Sequence, residues 1–282
     1  GKRLLVRAGE LEALTDLGFY LIEDPWQPAE KITALLSEQL IADILAEKGK
    51  QPKMALQAVL QPNPVSWTAN SHQAVFPLAL EDLSSDLYLY NPQAGTIKRL
   101  SERFQQEFAP LWAPGQNWLV FQEVNSYATP DDWEVSLVGA WKMPKQDELR
   151  FLFEPKATGN WEHYVGWLTP EELVSYTATE TGGTDLHLSN LGTGKSVVLF
   201  YGAFNSVALD PAHGSIAVSV NSADGKISGR KPGIYFSKSG GLLFYLLMEG
   251  EFEHLEFAPE VGHFIATGKS GVLQFDGNGI LA

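Results

Sequence analysis

A chain of 282 residues, 44% apolar and 11% aromatic, has enough material for one large core or two ordinary ones. Its formal charge of -14 would repel nucleic-acid phosphates, no basic cluster offsets it, and nucleic acid is therefore excluded as a partner. Zero cysteines exclude disulfides, thiol catalysis and cysteine-ligated metal sites, and no apolar run reaches the roughly 18 residues of a membrane span.

The chain begins Gly1-Lys2 rather than with Met, which suggests a mature form whose leader or membrane anchor has been removed. Residues 2–7 read as a short strand. Residues 7–14 resemble residues 248–255, a linker from a fourth strand into a first strand, and residues 15–18 read as the following corner. Phe19-Tyr-Leu-Ile22 is then a second strand. Between residues 28 and 48, Ile32, Leu35, Leu36, Leu40, Ile44 and Leu45 follow helical spacing. The favoured reading is a short helical insertion near residues 29–40 before a third strand at 41–46; the other is a helix running to Lys48. Residues 54–59 read as a fourth strand.

From there a corner recurs, in which an apolar strand end meets a Pro or Asn with small polar residues and then a β-branched or aromatic run. Measured from Asn70 through Pro114, Pro170 and Pro211 to Pro259, the spacings are 44, 56, 41 and 48 residues, near the roughly 40–50 residues of a four-stranded propeller blade. Hairpins recur in phase with the corners: Leu87–Tyr90 turning at residues 91–95, Val135–Val138 turning through Pro144, Leu186–Leu188 turning at 190–194, and Ile234–Phe236 turning at 239–241. The spacing predicts one all-β domain, a six-bladed β-propeller, with blades near 10–61, 62–104, 105–158, 159–202, 203–249, and 251–282 completed by 2–7. In this reading the N- and C-terminal strands pair to close the ring and remove edge strands. A β-sandwich with a small α/β domain is the structural alternative.

Over residues 62–282 the corners and Gly-bearing hairpins resemble the WD40-like repeats of the TolB C-terminal propeller and related extracytoplasmic proteins. The Ser-Pro-Asp-Gly usual in that family's corners is replaced here by Ala-Pro-Gly at 113–115, Thr-Pro-Glu at 169–171, Asp-Pro-Ala at 210–212 and Ala-Pro-Glu at 258–260. The resemblance implies an architecture and an extracytoplasmic (periplasmic or cell-surface) location, and function does not follow from it.

Catalytic motifs fail on inspection. Gly192-Thr-Gly-Lys-Ser196 lacks the leading glycine of a phosphate loop and sits in a hairpin. Asp276-Gly-Asn-Gly279 has no later carboxylate to complete a calcium loop and reads as a turn. There is no Gly-x-Ser-x-Gly elbow. The six histidines are scattered, and His72, His213 and His263 fall at corners; no metal site or cofactor is expected. Trp67, Trp112, Trp118 and Trp167 read as packing residues.

The longest insertions lie in connections from second to third and from fourth to first strands, which share one face of a propeller. They carry Trp26, Tyr127, Trp133, Trp161, His163 and Arg230, the candidate ligand-binding residues, because exposed aromatics on long loops make a recognition surface. The expected function is a monomeric, non-catalytic binding or scaffolding module for a protein, peptide or glycan. The alternative is an enzyme, a lyase or hydrolase, using the channel mouth.

Overall fold

The computed structural model describes residues 3–10, 13–46, 53–80, 84–103, 105–124, 135–143, 149–152, 160–178, 183–238, 240, 243–258, 262–269, 271–276 and 278–281. Strands dominate, as an all-β class requires, and the chain divides into two compact units, Gly1–Asn160 and Trp161–Ala282.

The first unit holds antiparallel meanders. The first joins β1 (Leu4–Ala8), β2 (Gly18–Ile22) and β3 (Glu30–Ala34), and is followed by α1 (Glu38–Ala46) and α2 (Lys53–Val59). The second runs β4 (Ser66–Trp67), β5 (Ala74–Ala79), β6 (Ser85–Asn91) and β7 (Thr96–Arg99). The third runs β8 (Gln106–Trp112), β9 (Trp118–Val124), β10 (Val135–Lys142) and β11 (Leu149–Phe151).

The second unit repeats the plan. Its first meander is β12 (Asn160–Trp167), β13 (Glu172–Ala178), β14 (Thr184–Asn190) and β15 (Lys195–Gly202). The next is β16 (Phe204–Asp210), β17 (Ser215–Val220), β18 (Gly233–Ser237) and β19 (Tyr245–Glu249), with the one-turn helix α3 (Asp224–Ile227) between β17 and β18. The last is β20 (Phe252–Ala258), β21 (His263–Gly268) and β22 (Gly271–Asp276).

Burial within a meander follows strand order. The second strands β5, β9 and β17 are buried at every residue, which is why they read as nearly unbroken apolar runs rather than as alternating ones. The fourth strands are open at their leading ends, as in Lys195–Val198 of β15. Successive meanders are pinned first strand to first strand by the same device: Trp112 N–H of β8 donates to Ser66 Oγ of β4 at 2.9 Å, and Leu255 N–H of β20 donates to Ser206 Oγ of β16 at 3.0 Å. Each serine satisfies a backbone group that a sheet edge would otherwise leave unpaired. Trp112, Trp118 and Trp167 are buried and Trp67 packs against the first core, as packing residues should.

The hairpins are built as their residues dictate. Gly95 and Gly194 take φ of 62° and 71°, the left-handed conformation a two-strand turn asks of glycine. Asn190 Oδ1 accepts the Thr193 amide at 2.9 Å, so Gly192-Thr-Gly-Lys-Ser196 is a β14–β15 turn. Asp276 Oδ1 likewise accepts the amides of Asn278 and Ile280, making Asp276–Gly279 a turn whose continuation, Leu281, bridges Phe275.

The N-terminal region departs from expectation. The predicted helix at 29–40 is instead β3 at 30–34 followed by α1 at 38–46, and the predicted strands at 41–46 and 54–59 are the helices α1 and α2. Ser37 decides the start: its Oγ accepts the Leu40 amide at 3.1 Å and its carbonyl accepts Ile41 N–H, a serine N-cap. Helical spacing was real from Leu40 onward, but Ile32 belongs to a strand and Leu36 bridges Ala79. Residues 2–7 are also placed differently. β1 is the first strand of the first meander, in register from Leu4 opposite Ile22 to Ala8 opposite Gly18, and the described pairings of β22 are with β21 and Leu281. The reason is packing: Leu5 enters a core with Leu17, Phe19, Leu21 and Phe76. Arg7 Nη1 meanwhile bonds the carbonyls of Val59 and Gln61 at 2.6 and 2.8 Å, closing the C-terminus of α2.

Candidate functional site

The strand ends from which second-to-third and fourth-to-first connections leave hold the distinctive chemistry in both units. In the second unit they frame a cleft of about 300 Å³ lined by Tyr164 and Val165 of β12, Tyr176 of β13, Thr184 of β14, and Phe204, Asn205, Ser206 and Val207 of β16. β12 and β13 place Tyr164 and Tyr176 there because their register sets the start of one against the end of the other, with a bulge between Tyr164 and Gly166. The rings support each other: His163 lies 5.2 Å from Tyr176, Tyr176 meets Phe204 edge-on at 5.9 Å, and Phe204 meets Phe200 at 6.3 Å.

None of the described lining residues carries a charge. Burial pushes the phenols of Tyr164 and Tyr176 up and the imidazole of His163 down, so all three are neutral near pH 7. Two of the polar groups are already engaged. Asn205 Nδ2 donates to Phe252 O while its Oδ1 accepts from Asn221, and Ser206 exchanges bonds with both backbone groups of Leu255. The cleft therefore offers aromatic faces with a sparse polar margin, a chemistry suited to holding a neutral molecule.

The loop beyond β17 buttresses this end. Asp224 is fully buried at the start of α3, accepts the Ala203 amide at 2.8 Å and the Ser228 hydroxyl, and pairs with Arg230 at 3.5 Å. Gly202 is required there, since a Cβ would run into the Asp224 carboxylate. Arg230 Nη1 donates to Tyr201 O at 2.6 Å and to Ser228 Oγ at 2.8 Å, and its guanidinium sits 4.4 Å from the centre of the Phe200 ring.

Of the six residues singled out from sequence, His163 and Arg230 lie at this end of the second unit, joined through the ring chain Tyr176–Phe204–Phe200; His163 was expected on a loop but lies in β12, where it pairs with Tyr176 of β13. Trp161 is in β12, and its side chain, like Tyr127 and Trp133, lies outside the described residues. Trp26 belongs to the first unit, 88% exposed in the β2–β3 connection, its amide held by Asp24 Oδ1. Tyr164, Tyr176 and Phe204 escaped sequence reasoning because they lie in strands, where alternation marks them as ordinary core residues.

In the first unit the corresponding strand ends are filled rather than open. Asp86 near the start of β6, Glu107 near the start of β8 and Glu123 near the end of β9 are each 0% exposed. Glu107 and Glu123 face each other across the β8–β9 ladder. Arg99 bonds Asp86, while Arg103 reaches Glu123 at 3.2 Å and lies over the ring of Phe151 at 5.6 Å. A signal for this pair existed in the sequence: both glutamates stand eight positions from Gly115, one on either side of the corner, so a hairpin centred there sets them opposite each other. Among the described residues no group of three His, Cys, Asp or Glu has an arrangement able to hold a metal ion.

No family model and no curated protein matches the sequence. Solved structures do. TolB from Acinetobacter baumannii is 10% identical with a TM-score of 0.52, covering 99% of this chain and 62% of its own. An oligogalacturonate lyase from Vibrio parahaemolyticus is 9% identical with a TM-score of 0.59, covering 89% and 68%. The β-propeller domain of the trilobed protease from Pyrococcus furiosus is 13% identical with a TM-score of 0.51, covering 76% and 68%. The chain thus spans just under two thirds of the TolB structure. At such identities these likenesses concern fold alone, and that fold is all-β, TolB-like and of the β-propeller kind.

Proposed function

We propose that the chain is a six-bladed β-propeller acting as a non-catalytic binding or scaffolding module outside the cytoplasm, its ligand a protein, peptide or glycan met at the loop-rich strand ends. The observation that carries this reading is the uncharged aromatic cleft between β12–β15 and β16–β19, which lies where the connections predicted to form the recognition face emerge. The blade count rests on the meanders described above, and the location on likeness to TolB. Because β1 is engaged by β2, this reading no longer pairs residues 2–7 with the C-terminal strand. The open Velcro topology stated for the trilobed-protease domain is a precedent.

Trp26, Tyr127, Trp133, Trp161, His163 and Arg230 form the proposed recognition set, with Tyr164, Tyr176 and Phe204 as the floor of the cleft. The enzyme reading draws support from the lyase and protease names among the neighbours, yet among the described residues lining the cleft none is a carboxylate, imidazole or amine able to act as acid or base.

The test is a screen of the purified chain against arrays of neutral oligosaccharides and peptides, repeated with Tyr176→Ala and with Trp133→Ala/Trp161→Ala. A ligand whose capture falls at least tenfold in the variants, with melting temperature nearly intact for the tryptophan pair, supports the reading. Unchanged capture by all variants, or turnover of a captured ligand, overturns it.

A further inference from the structure

The junction between the second and third meanders of the first unit holds an unbalanced set of buried charges. Asp86, Glu107 and Glu123 converge there, all fully buried, against two guanidiniums supplied by β7 and the segment that follows it. Arg99 is committed to Asp86 and Arg103 to Glu123. Glu107 has Arg103 Nε at 3.9 Å, beyond hydrogen-bond reach, and its side-chain hydrogen bond is with a neutral group, the hydroxyl of Ser101, whose Oγ accepts the Leu87 amide. The other groups around it are the carboxylates of Glu123 and Asp86; from α2, Ala58 packs beside its neighbour Phe108. Among the described residues three negative charges and two positive ones leave one in excess, and an excess buried carboxylate costs more than a bound proton.

We propose that Glu107 is carried as a neutral carboxylic acid and acts as a proton-dependent latch between these two meanders. Protonated, it lets β6, β8 and β9 close over the cluster, where Ser85 Oγ donates to Glu107 O at 3.1 Å and Ser85 bridges Gln106. Ionised, it sets three carboxylates against two guanidiniums and loosens the seam. Burial above all raises its titration to about 8 from an ordinary 4.5; Glu123 and Asp86 add to the rise, and Ser101 and Arg103 oppose it.

The sign follows from linkage. The native chain keeps a proton that the unfolded chain releases, so this contribution is complete below pH 4.5, shrinks between 4.5 and about 8, and is level above that. Chemical unfolding of the full chain and of Glu107→Gln at pH 5, 6.5 and 8 tests it. The ratio of the wild-type to the variant unfolding constant should rise about tenfold per pH unit through the window; parallel profiles overturn the proposal. Calorimetry of wild-type unfolding at pH 7.5 in two buffers of different ionisation enthalpy needs no variant. Release of roughly three-quarters of a proton is expected there from Glu107, and no release overturns the latch.

Discussion

The two junctions solve one packing problem with opposite chemistry. The second residue of β8 is Glu107 and the second of β16 is Asn205; the penultimate residue of β9 is Glu123 and that of β17 is Ser219. In the first unit this pair is two carboxylates, which need Arg103 and a proton to be buried at all. In the second it is an amide and a hydroxyl, and both donate to Phe252 O of the following meander. Neutral groups can discharge their hydrogen-bonding duty on backbone, whereas charges must recruit countercharges that fill the space between strand ends. Where charge is absent, as around Tyr164, Tyr176 and Phe204, a cleft can stay open for a ligand.

The largest effect is expected from removing Arg103, which among the described residues is the cation that reaches both glutamates. Arg103→Ala should destabilise the chain by about 3–5 kcal/mol, because it leaves buried carboxylates uncompensated; urea unfolding measures it. A cost below about 1 kcal/mol would mean that the cluster is not closed as described. The serine clamps give a middle-sized comparison. Ser206→Ala loses bonds to both backbone groups of Leu255 and should cost about 1–2 kcal/mol, while Ser66→Ala, which leaves one amide without its acceptor, should cost nearer 1 kcal/mol. A reversed order in denaturation midpoints would break the equivalence of the two clamps.

The smallest effect sharpens the contrast through pH. Burial lowers the titration of His163 and of His187, the latter opposed by Asp185. The unfolded chain therefore binds protons at these sites first, and stability is lost as pH falls below 6.5. The two units pull in opposite directions, the first weakened by rising pH through Glu107 and the second by falling pH through its histidines. His163→Gln should flatten part of the acid limb in a melting-temperature profile and leave the alkaline limb unchanged; a shift of the alkaline limb would place the histidine in the wrong network.

Corners, hairpins and the all-β class were legible in sequence because they depend on local chemistry. An asparagine at a turn, a glycine at positive φ and a nearly unbroken apolar run each impose their conformation within a few residues, as at Asn190, Gly194 and Ile216–Val220. The candidate site was legible only in part: Arg230 was singled out in a loop and His163 was singled out although it lies in β12, while Tyr164, Tyr176 and Phe204 were hidden among strand residues. Tertiary structure alone decided the rest. Residues 30–34 join a sheet and 38–46 a helix because β2 offers an edge to the one and Ser37 caps the other. β1 pairs with β2 because Leu5 finds a core there. Whether a strand-end polar residue becomes a buried charge or the margin of a cleft depends on what the neighbouring meander places against it, and that contact is non-local by nature.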